Sequence, residues 1–206
     1  MKALILVDLQ NDFCWSGALA VEGGNDVIPI ANQLMEKFDL VVATKDWHPA
    51  NHGSFAGTHY ERWRNPGDVI DLNGLQQVLW PIHCVQETFG SEFVNELNDE
   101  KINHITYKGT DVGIDSYSGF FDNGRRKATD LHGFLQSKDV TEVYVLGLAT
   151  DYCVKFTAMD AVSLGYKTHL VVEACRGVNL AEGDVDKAVQ EMEEASVQLI
   201  EDTSTI

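Results

Sequence analysis

Basic residues are scarce in this sequence of 206 residues, which has 15 lysines and arginines against 32 aspartates and glutamates. The formal charge of −17 would repel phosphate backbones and anionic membrane surfaces, whose binding proteins carry clustered lysine and arginine. We therefore expect neither nucleic acid nor membrane partners. No apolar run approaches the roughly 20 residues of a transmembrane helix, and the run at residues 3–7 is shorter than the core of a secretory signal. These absences predict a cytoplasmic protein.

Cysteine is also sparse, with four residues at Cys14, Cys84, Cys153 and Cys175. Their wide spacing suggests no disulfide framework, so we expect reduced thiols. No two cysteines form a CxxC pair, which excludes a zinc ribbon and a thioredoxin-like site. A hydrophobic content of 44% is enough for one core, and we predict a single domain over residues 1–206.

Short apolar runs with strand character alternate with segments of helical period. The strand-like runs lie at residues 3–9, 40–44, 104–107, 143–148, 168–172 and 197–200, and the helical periods at residues 27–38, 131–135, 154–162 and 185–192. This alternation predicts a doubly wound α/β fold, a six-stranded mostly parallel sheet with helices on both faces. Residues 46–95 break the alternation and predict a long functional loop region.

Reactive side chains stand where the predicted strands end, and parallel strands bring their carboxyl ends to one edge of a sheet. Asp8 follows the first strand, Lys108 the third, and Cys153 follows the fourth after a short turn. With Thr150 as helix cap, Cys153 would lie in a first helical turn, where the helix dipole lowers a thiol pKa. We predict Cys153 as nucleophile, Asp8 as proton acceptor and Lys108 as the stabilising cation. The other cysteines are interpreted as structural.

A second group of residues favours a metal ion. Asp46 and His48 are alternate residues, so in an extended segment both side chains project to the same side. His52, His59 and His83 follow in the same loop region, and the spacing alone does not decide which completes the site. Zinc, iron and manganese all accept one carboxylate and two imidazoles.

Several segments together resemble one known family. They are VDLQNDFC at residues 7–14, DWHPANHGSF at 46–55, WPIHCV at 80–85, DSYSGF at 115–120, GLATDYCV at 147–154 and CRGVN at 175–179. The sequence resembles the nicotinamidases, which belong to the isochorismatase-like cysteine hydrolases, over nearly its whole length. The resemblance implies a catalytic trio at Asp8, Lys108 and Cys153. It also implies hydrolysis of nicotinamide to nicotinate and ammonia, a step of NAD salvage.

The same resemblance implies further roles. It assigns one divalent metal ion, zinc ahead of iron or manganese, to Asp46, His48 and His83. We expect His52 to support the metal ligands without touching the ion or to pack within the loop, with direct ligation as the alternative. It implies a cis peptide before Ala149, and an oxyanion hole made by the N–H groups of Ala149 and Cys153. The substrate pocket would be formed by Phe13, Leu19, Trp80, Tyr117 and Tyr152.

Other functions remain as alternatives at this point. Within the fold, one is a hydrolase of another small amide or carbamoyl compound, such as a carbamoyl-sarcosine or ureidoacrylate hydrolase, and another is a vinyl-ether-cleaving isochorismatase. An acyclic carboxylate substrate would call for a basic clamp in place of a metal that binds pyridine. A non-catalytic ligand-binding protein would be expected to lack Asp8, Lys108 or Cys153, and all three are present. The sequence leaves the oligomeric state open, a homo-oligomer included.

Overall fold

Six parallel strands form the central sheet in the computed structural model, which describes residues 1–206 with the side chains of all but residues 60–62. The strands of the chain are β1 (Lys2–Val7), β2 (Val41–Asp46), β3 (Val69–Leu72), β4 (Leu75–Val78), β5 (His104–Lys108), β6 (Glu142–Leu148), β7 (Lys167–Arg176) and β8 (Gln198–Ile200). The sheet has the order β5-β2-β1-β6-β7-β8. The six predicted strands and their parallel pairing are confirmed.

Four α-helices cover the sheet: α1 (Val27–Met35), α2 (Leu131–Ser137), α3 (Lys155–Ser163) and α4 (Asp184–Glu194). Helix α1 buries Val27, Ala31 and Leu34 along one stripe and packs on β1, β6 and β7. Helix α3 packs on β6 and β7, and α4 packs against α3. None of the helices in the described residues, of which α4 is the longest at 11 residues, has the length and apolar character needed to span a bilayer.

The sheet register positions the site. Strands β1 and β2 are buried almost throughout because their neighbours and helices cover both faces. Val7 at the end of β1 pairs with Thr44 of β2 and with Gly147 of β6, and Asp46 pairs with Lys108 of β5. Four strands therefore end side by side, and the residues that follow them meet at one edge.

The loop region at residues 46–95 contains a feature that the sequence analysis did not predict. Strands β3 and β4 form an antiparallel hairpin, closed by Asn73 and Gly74 with φ values of 52° and 87°. Positive φ at both central residues is what a tight two-residue turn requires, and Asn-Gly is its strongest sequence signal. Each strand has only four residues and is largely exposed, so the alternation of apolar and polar residues was too short to detect.

Candidate active site

Asp8 begins the site at the carboxyl end of β1. Its backbone has a φ of 51°, a left-handed conformation that aspartate tolerates better than most residues, and its side chain is fully buried. The hydroxyl of Thr44 on β2 donates a hydrogen bond of 2.6 Å to Asp8 Oδ1. This bond fixes the carboxylate so that its other oxygen faces Lys108.

Lys108 is the centre of the cluster. Its Nζ lies 2.8 Å from Asp8 Oδ2, donates to Asp46 Oδ1, and donates to the carbonyl of Ser116 at 3.0 Å. The same nitrogen lies 3.4 Å from Cys153 Sγ. The structure therefore brings the three residues of the predicted catalytic trio together, and joins them to a predicted metal ligand.

The charges in this cluster depend on one another. Burial alone would lower the pKa of Lys108, but Asp46 and Asp8 raise it well above its ordinary value, so the ammonium stays charged. Burial raises the pKa of Asp8 against the opposing effect of Lys108. Burial raises the pKa of Asp46, but Lys108 and His48 lower it by more, so that it falls well below the ordinary range. Asp8 is thus the carboxyl group suited to carrying a proton, and Asp46 is held as an anion.

The expected fall in the pKa of Cys153 is wrong. Burial raises the pKa of the thiol well above its usual range, and Asp8 and Asp46 add to the effect while Lys108 opposes it. Thr150 does not cap a helix, since Thr150–Val154 form a π-helical turn that precedes α3. Burial is the largest cause of the shift, and Cys153 lies in this π-helical turn and not in the first turn of an α-helix. A thiol with a raised pKa acts as a nucleophile only when a neighbouring base accepts its proton.

The turn that carries Cys153 begins at a cis peptide between Leu148 and Ala149, as the resemblance implies. Ala149 and Cys153, the two residues expected to form an oxyanion hole, both line the same pocket. Gly147 just before them has a φ of 128°, and a Cβ there would lie 2.2 Å from the carbonyl oxygen of Val7. Only glycine allows β6 to approach β1 this closely at the site.

Cys153 lines a small pocket with largely aromatic walls. Its lining includes the five residues predicted for substrate binding, Phe13, Leu19, Trp80, Tyr117 and Tyr152. Trp80 Nε1 donates to Tyr117 Oη at 3.2 Å, and the Trp80 ring meets Tyr152 edge to face at 4.8 Å. The pocket is also lined by Asp115 and Val178, which the sequence analysis does not predict as site residues, although both lie in segments that carry the family resemblance.

The predicted metal ligands face one another beside this pocket. Asp46 Oδ2 lies 3.5 Å from His48 Nε2 and 3.7 Å from His83 Nε2. The Nδ1 atoms of these histidines lie 2.8 Å from the carbonyls of Gly109 and Pro81, so Nδ1–H donates and Nε2 keeps its lone pair. His48 Nε2 is buried and has no hydrogen-bond partner among the described side chains. One carboxylate and two such imidazoles are groups that could hold a divalent metal ion.

The remaining histidines of the loop region have other partners. His52 Nδ1 lies 2.7 Å from Ser54 Oγ, and its Nε2 lies 3.4 Å from the carbonyl of Ile114. The centroids of the His52 and His48 rings are 4.3 Å apart. His59 Nε2 lies 2.8 Å from the carbonyl of Gly53. His52 can also form a group of metal-binding type with His48 and Asp115, so the choice between His52 and His83 stays a prediction.

A doubly wound α/β sheet with a buried cysteine, lysine and aspartate at its carboxyl edge defines a class of cysteine-dependent hydrolase. Residues 2–203 match the family model of the isochorismatase domain, and the chain belongs to that family.

The chain is similar to nicotinamidases of known sequence and structure. It is 47% identical over 202 residues to the nicotinamidase of Escherichia coli strain K12, covering 96% of this chain and 93% of that one. A structure of an Acinetobacter baumanii nicotinamidase and pyrazinamidase matches with a TM-score of 0.95 and 42% identity, covering 100% and 98% of the two chains. A pyrazinamidase of Pyrococcus horikoshii, solved in complex with zinc, matches with a TM-score of 0.77 and 37% identity, covering 97% and 98%.

Proposed function

We propose that this protein hydrolyses nicotinamide to nicotinate and ammonia, the salvage step that returns nicotinamide to NAD synthesis. The observation that carries the proposal is the position of Cys153, with Lys108 and Asp8, at the base of an aromatic pocket that Asp46 and His83 also line. The similarity to nicotinamidases supports the choice of substrate. We place the activity in one domain in the cytoplasm, where the four free thiols would remain reduced.

The first step joins the thiol to the amide. Asp8 accepts the proton of Cys153 as the sulfur adds to the carboxamide carbon. Lys108 remains an ammonium and stabilises the negative charge that passes from sulfur to oxygen. The N–H groups of Ala149 and Cys153 then bind the oxyanion of the tetrahedral intermediate.

The second step releases ammonia. Asp8 returns the proton to the amide nitrogen, the carbon–nitrogen bond breaks, and ammonia leaves a thioester on Cys153. Water then adds to the thioester carbon while Asp8 accepts a proton again. Collapse of this second intermediate gives nicotinate and restores the thiol.

A metal ion would be held by Asp46, His48 and His83, and we propose zinc ahead of iron or manganese. The zinc complex of the Pyrococcus horikoshii relative supports this order. When bound, the ion supplies a coordination position for the pyridine nitrogen, which orients the carboxamide over Cys153. The pyridine ring would pack against the walls of the pocket, which are formed by Phe13, Leu19, Trp80, Tyr117 and Tyr152.

The pocket argues against a carbamoyl or acyclic carboxylate substrate. Such a substrate would need a basic clamp, and no arginine or lysine stands among the described side chains that line the pocket. The nearby Lys108 is already bound to Asp8 and Asp46. The lining is therefore better suited to a neutral aromatic amide.

The test is to measure ammonia release from nicotinamide, to identify nicotinate as the product, and to determine bound metal in the same sample. We expect stoichiometric ammonia and nicotinate, with about one divalent ion per chain. No ammonia release from the metal-loaded protein would refute the proposed reaction. Activity that is unchanged after complete metal removal would refute the role of the ion.

A further inference from the structure

Asp115 is a buried carboxylate on the pocket wall that the proposed reaction does not use. It lies in the loop between β5 and α2 and is only 3% exposed. Its Oδ1 lies 4.0 Å from His48 Nε2, the atom that is buried without a hydrogen-bond partner. Asp115 is therefore close to the predicted metal ligands, although it is not one of the predicted set Asp46, His48 and His83.

The hydrogen-bond partners of Asp115 are neutral groups. Oδ1 accepts a hydrogen bond of 2.8 Å from the backbone N–H of Ser116, and Oδ2 accepts one of 3.1 Å from Gln77 Nε2. No lysine or arginine forms an ion pair with Asp115 within the part of the chain whose side chains are described. Lys108, the buried ammonium of the site, is bound to Asp8 and Asp46 instead.

The site therefore has an excess of buried negative charge. Three buried carboxyl groups, Asp8, Asp46 and Asp115, lie in the site, and the ammonium of Lys108 pairs with only the first two. A buried charge is costly unless it is paired or coordinates a metal. A divalent cation beside Asp46 and Asp115 would supply positive charge that Lys108, bound to Asp8 and Asp46, does not bring to Asp115.

We propose that Asp115 is a second carboxylate of the cation centre, facing the ion together with Asp46. His48 Nε2 is near both carboxylates, 3.5 Å from Asp46 Oδ2 and 4.0 Å from Asp115 Oδ1, and Asp115 forms a group of metal-binding type with His48 and His52. The inference rests on the metal site of the proposed function. It adds a residue outside the expected ligand set, and the charge of that residue strengthens cation binding.

Gln77 of β4 is the positioning residue for Asp115. It is 2% exposed, and it is the only residue of β3 and β4 that is buried. Its Nε2 donates to Asp115 Oδ2 at 3.1 Å and lies 3.0 Å from Tyr117 Oη. Burying an amide costs free energy unless its hydrogen bonds are satisfied, so an apolar side chain of the same size would stabilise the hairpin more. The hydrogen bonds of Gln77 to Asp115 and Tyr117 are therefore the reason for an amide at this position. The hairpin thereby connects the cation centre to the aromatic wall.

The test is a zinc affinity measurement on Asp115→Asn, a change that removes the charge and keeps the shape. Zinc is titrated into the full chain, stripped of metal by a chelator, in competition with a zinc-binding dye. We expect the zinc Kd to rise at least ~10-fold, as happens when groups that support metal ligands are lost. The rate of Cys153 alkylation in the stripped protein should change by less than about twofold, since Asp115 does not contact the sulfur.

Asp122→Asn is the matched control. Asp122 is a buried aspartate of the same segment, 8% exposed, and its Oδ1 accepts from the backbone N–H of Arg126. This variant should keep the wild-type zinc Kd. Gln77→Leu should raise the Kd by a smaller factor, because it releases Asp115 without removing the charge.

The outcomes separate this inference from the proposed function. A zinc Kd for Asp115→Asn within about twofold of wild type overturns the inference, and so does an equal loss in Asp122→Asn. If Asp115→Asn does not fold, an unchanged Kd in Gln77→Leu overturns it. Zinc binding without nicotinamide hydrolysis in the wild type refutes the reaction alone. Hydrolysis by a wild-type chain that binds no zinc refutes the cation centre and leaves the thiol chemistry.

Discussion

At the level of single residues, Cys153 and Cys175 offer a direct comparison, because both are buried thiols of similar exposure. Only Cys153 contacts Lys108, whereas the Sγ of Cys175 lies 3.3 Å from the carbonyl of Val171. We expect Cys153→Ala to abolish ammonia release while the Tm and nicotinamide binding stay close to wild type. Cys175→Ala should retain most of the activity. A comparable loss in Cys175→Ala would contradict the choice of nucleophile.

Asp8 carries the proton in both halves of the proposed reaction. Asp8→Asn keeps the size of the side chain and removes its capacity for acid–base catalysis, so kcat should fall at least ~10²-fold. The KM should change much less, because Asp8 does not line the pocket. Steady-state kinetics on nicotinamide give both constants. A kcat within about tenfold of wild type would show that another group transfers the proton.

The third metal ligand is tested by comparing two histidines. His83 Nε2 faces Asp46 at 3.7 Å, while both ring nitrogens of His52 already have partners. His83→Ala should therefore retain less bound metal than His52→Ala, measured by elemental analysis after identical purification. The reverse order would identify His52 as the ligand.

Among the secondary-structure elements, β6 and β7 are joined at their amino ends by a polar cluster. Burial alone would raise the pKa of Glu142, but hydrogen bonds from Lys167 and His169 lower it to about 2. A pKa below the unfolded value stabilises the fold above about pH 4.3, and the stabilisation is lost as the pH falls from there toward 2. Glu142→Gln should lower the free energy of unfolding by about 1 kcal/mol at pH 7.

Urea unfolding of wild type and Glu142→Gln across this pH range checks that prediction. The difference between the two proteins should shrink as the pH falls from 5 to 3, because the wild-type carboxylate becomes protonated on unfolding. Glu201→Gln, at an exposed position, is the control and should match wild type throughout. A difference that stays constant with pH would mean that Glu142 acts through packing alone.

The elements differ in how well the sequence predicts them. Strands β1 and β2 are long buried runs, and their apolar composition alone indicates strands of a covered sheet. The π turn at Thr150–Val154 has no such local signal, since its conformation depends on packing around Cys153. The pKa of that thiol was wrongly predicted for the same reason: desolvation is set by neighbours distant in sequence.

The pocket is a property of the whole molecule, assembled from segments that lie far apart in the chain. Phe13 and Leu19 come from one segment, Trp80 from a second, and Tyr117 and Tyr152 from two more. Residue spacing within one segment does not determine how these walls meet, so the five residues were predicted from the family resemblance and not from periodicity. The parallel register of the sheet brings the segments together.

Comparison of two amides tests recognition by the complete pocket. Benzamide has the carboxamide and ring of nicotinamide but lacks the ring nitrogen, so it should occupy the aromatic walls without the contact at the cation centre. We expect its kcat/KM to be at least ~10-fold lower than that of nicotinamide. Equal values would show that the ring nitrogen is not recognised.

Lys108 contacts both halves of the site, since its ammonium binds Asp8 near the sulfur and Asp46, one of the proposed metal ligands. This shared ion-pair partner would link metal binding to ligand binding at Cys153. Linkage is reciprocal: if metal changes the affinity of Cys153 for a reversible thiol ligand such as an aldehyde, that ligand changes the affinity for metal by the same factor. If Asp46 holds a metal ion as proposed, occupancy of the metal site and of Cys153 would each change the affinity of the other through Lys108.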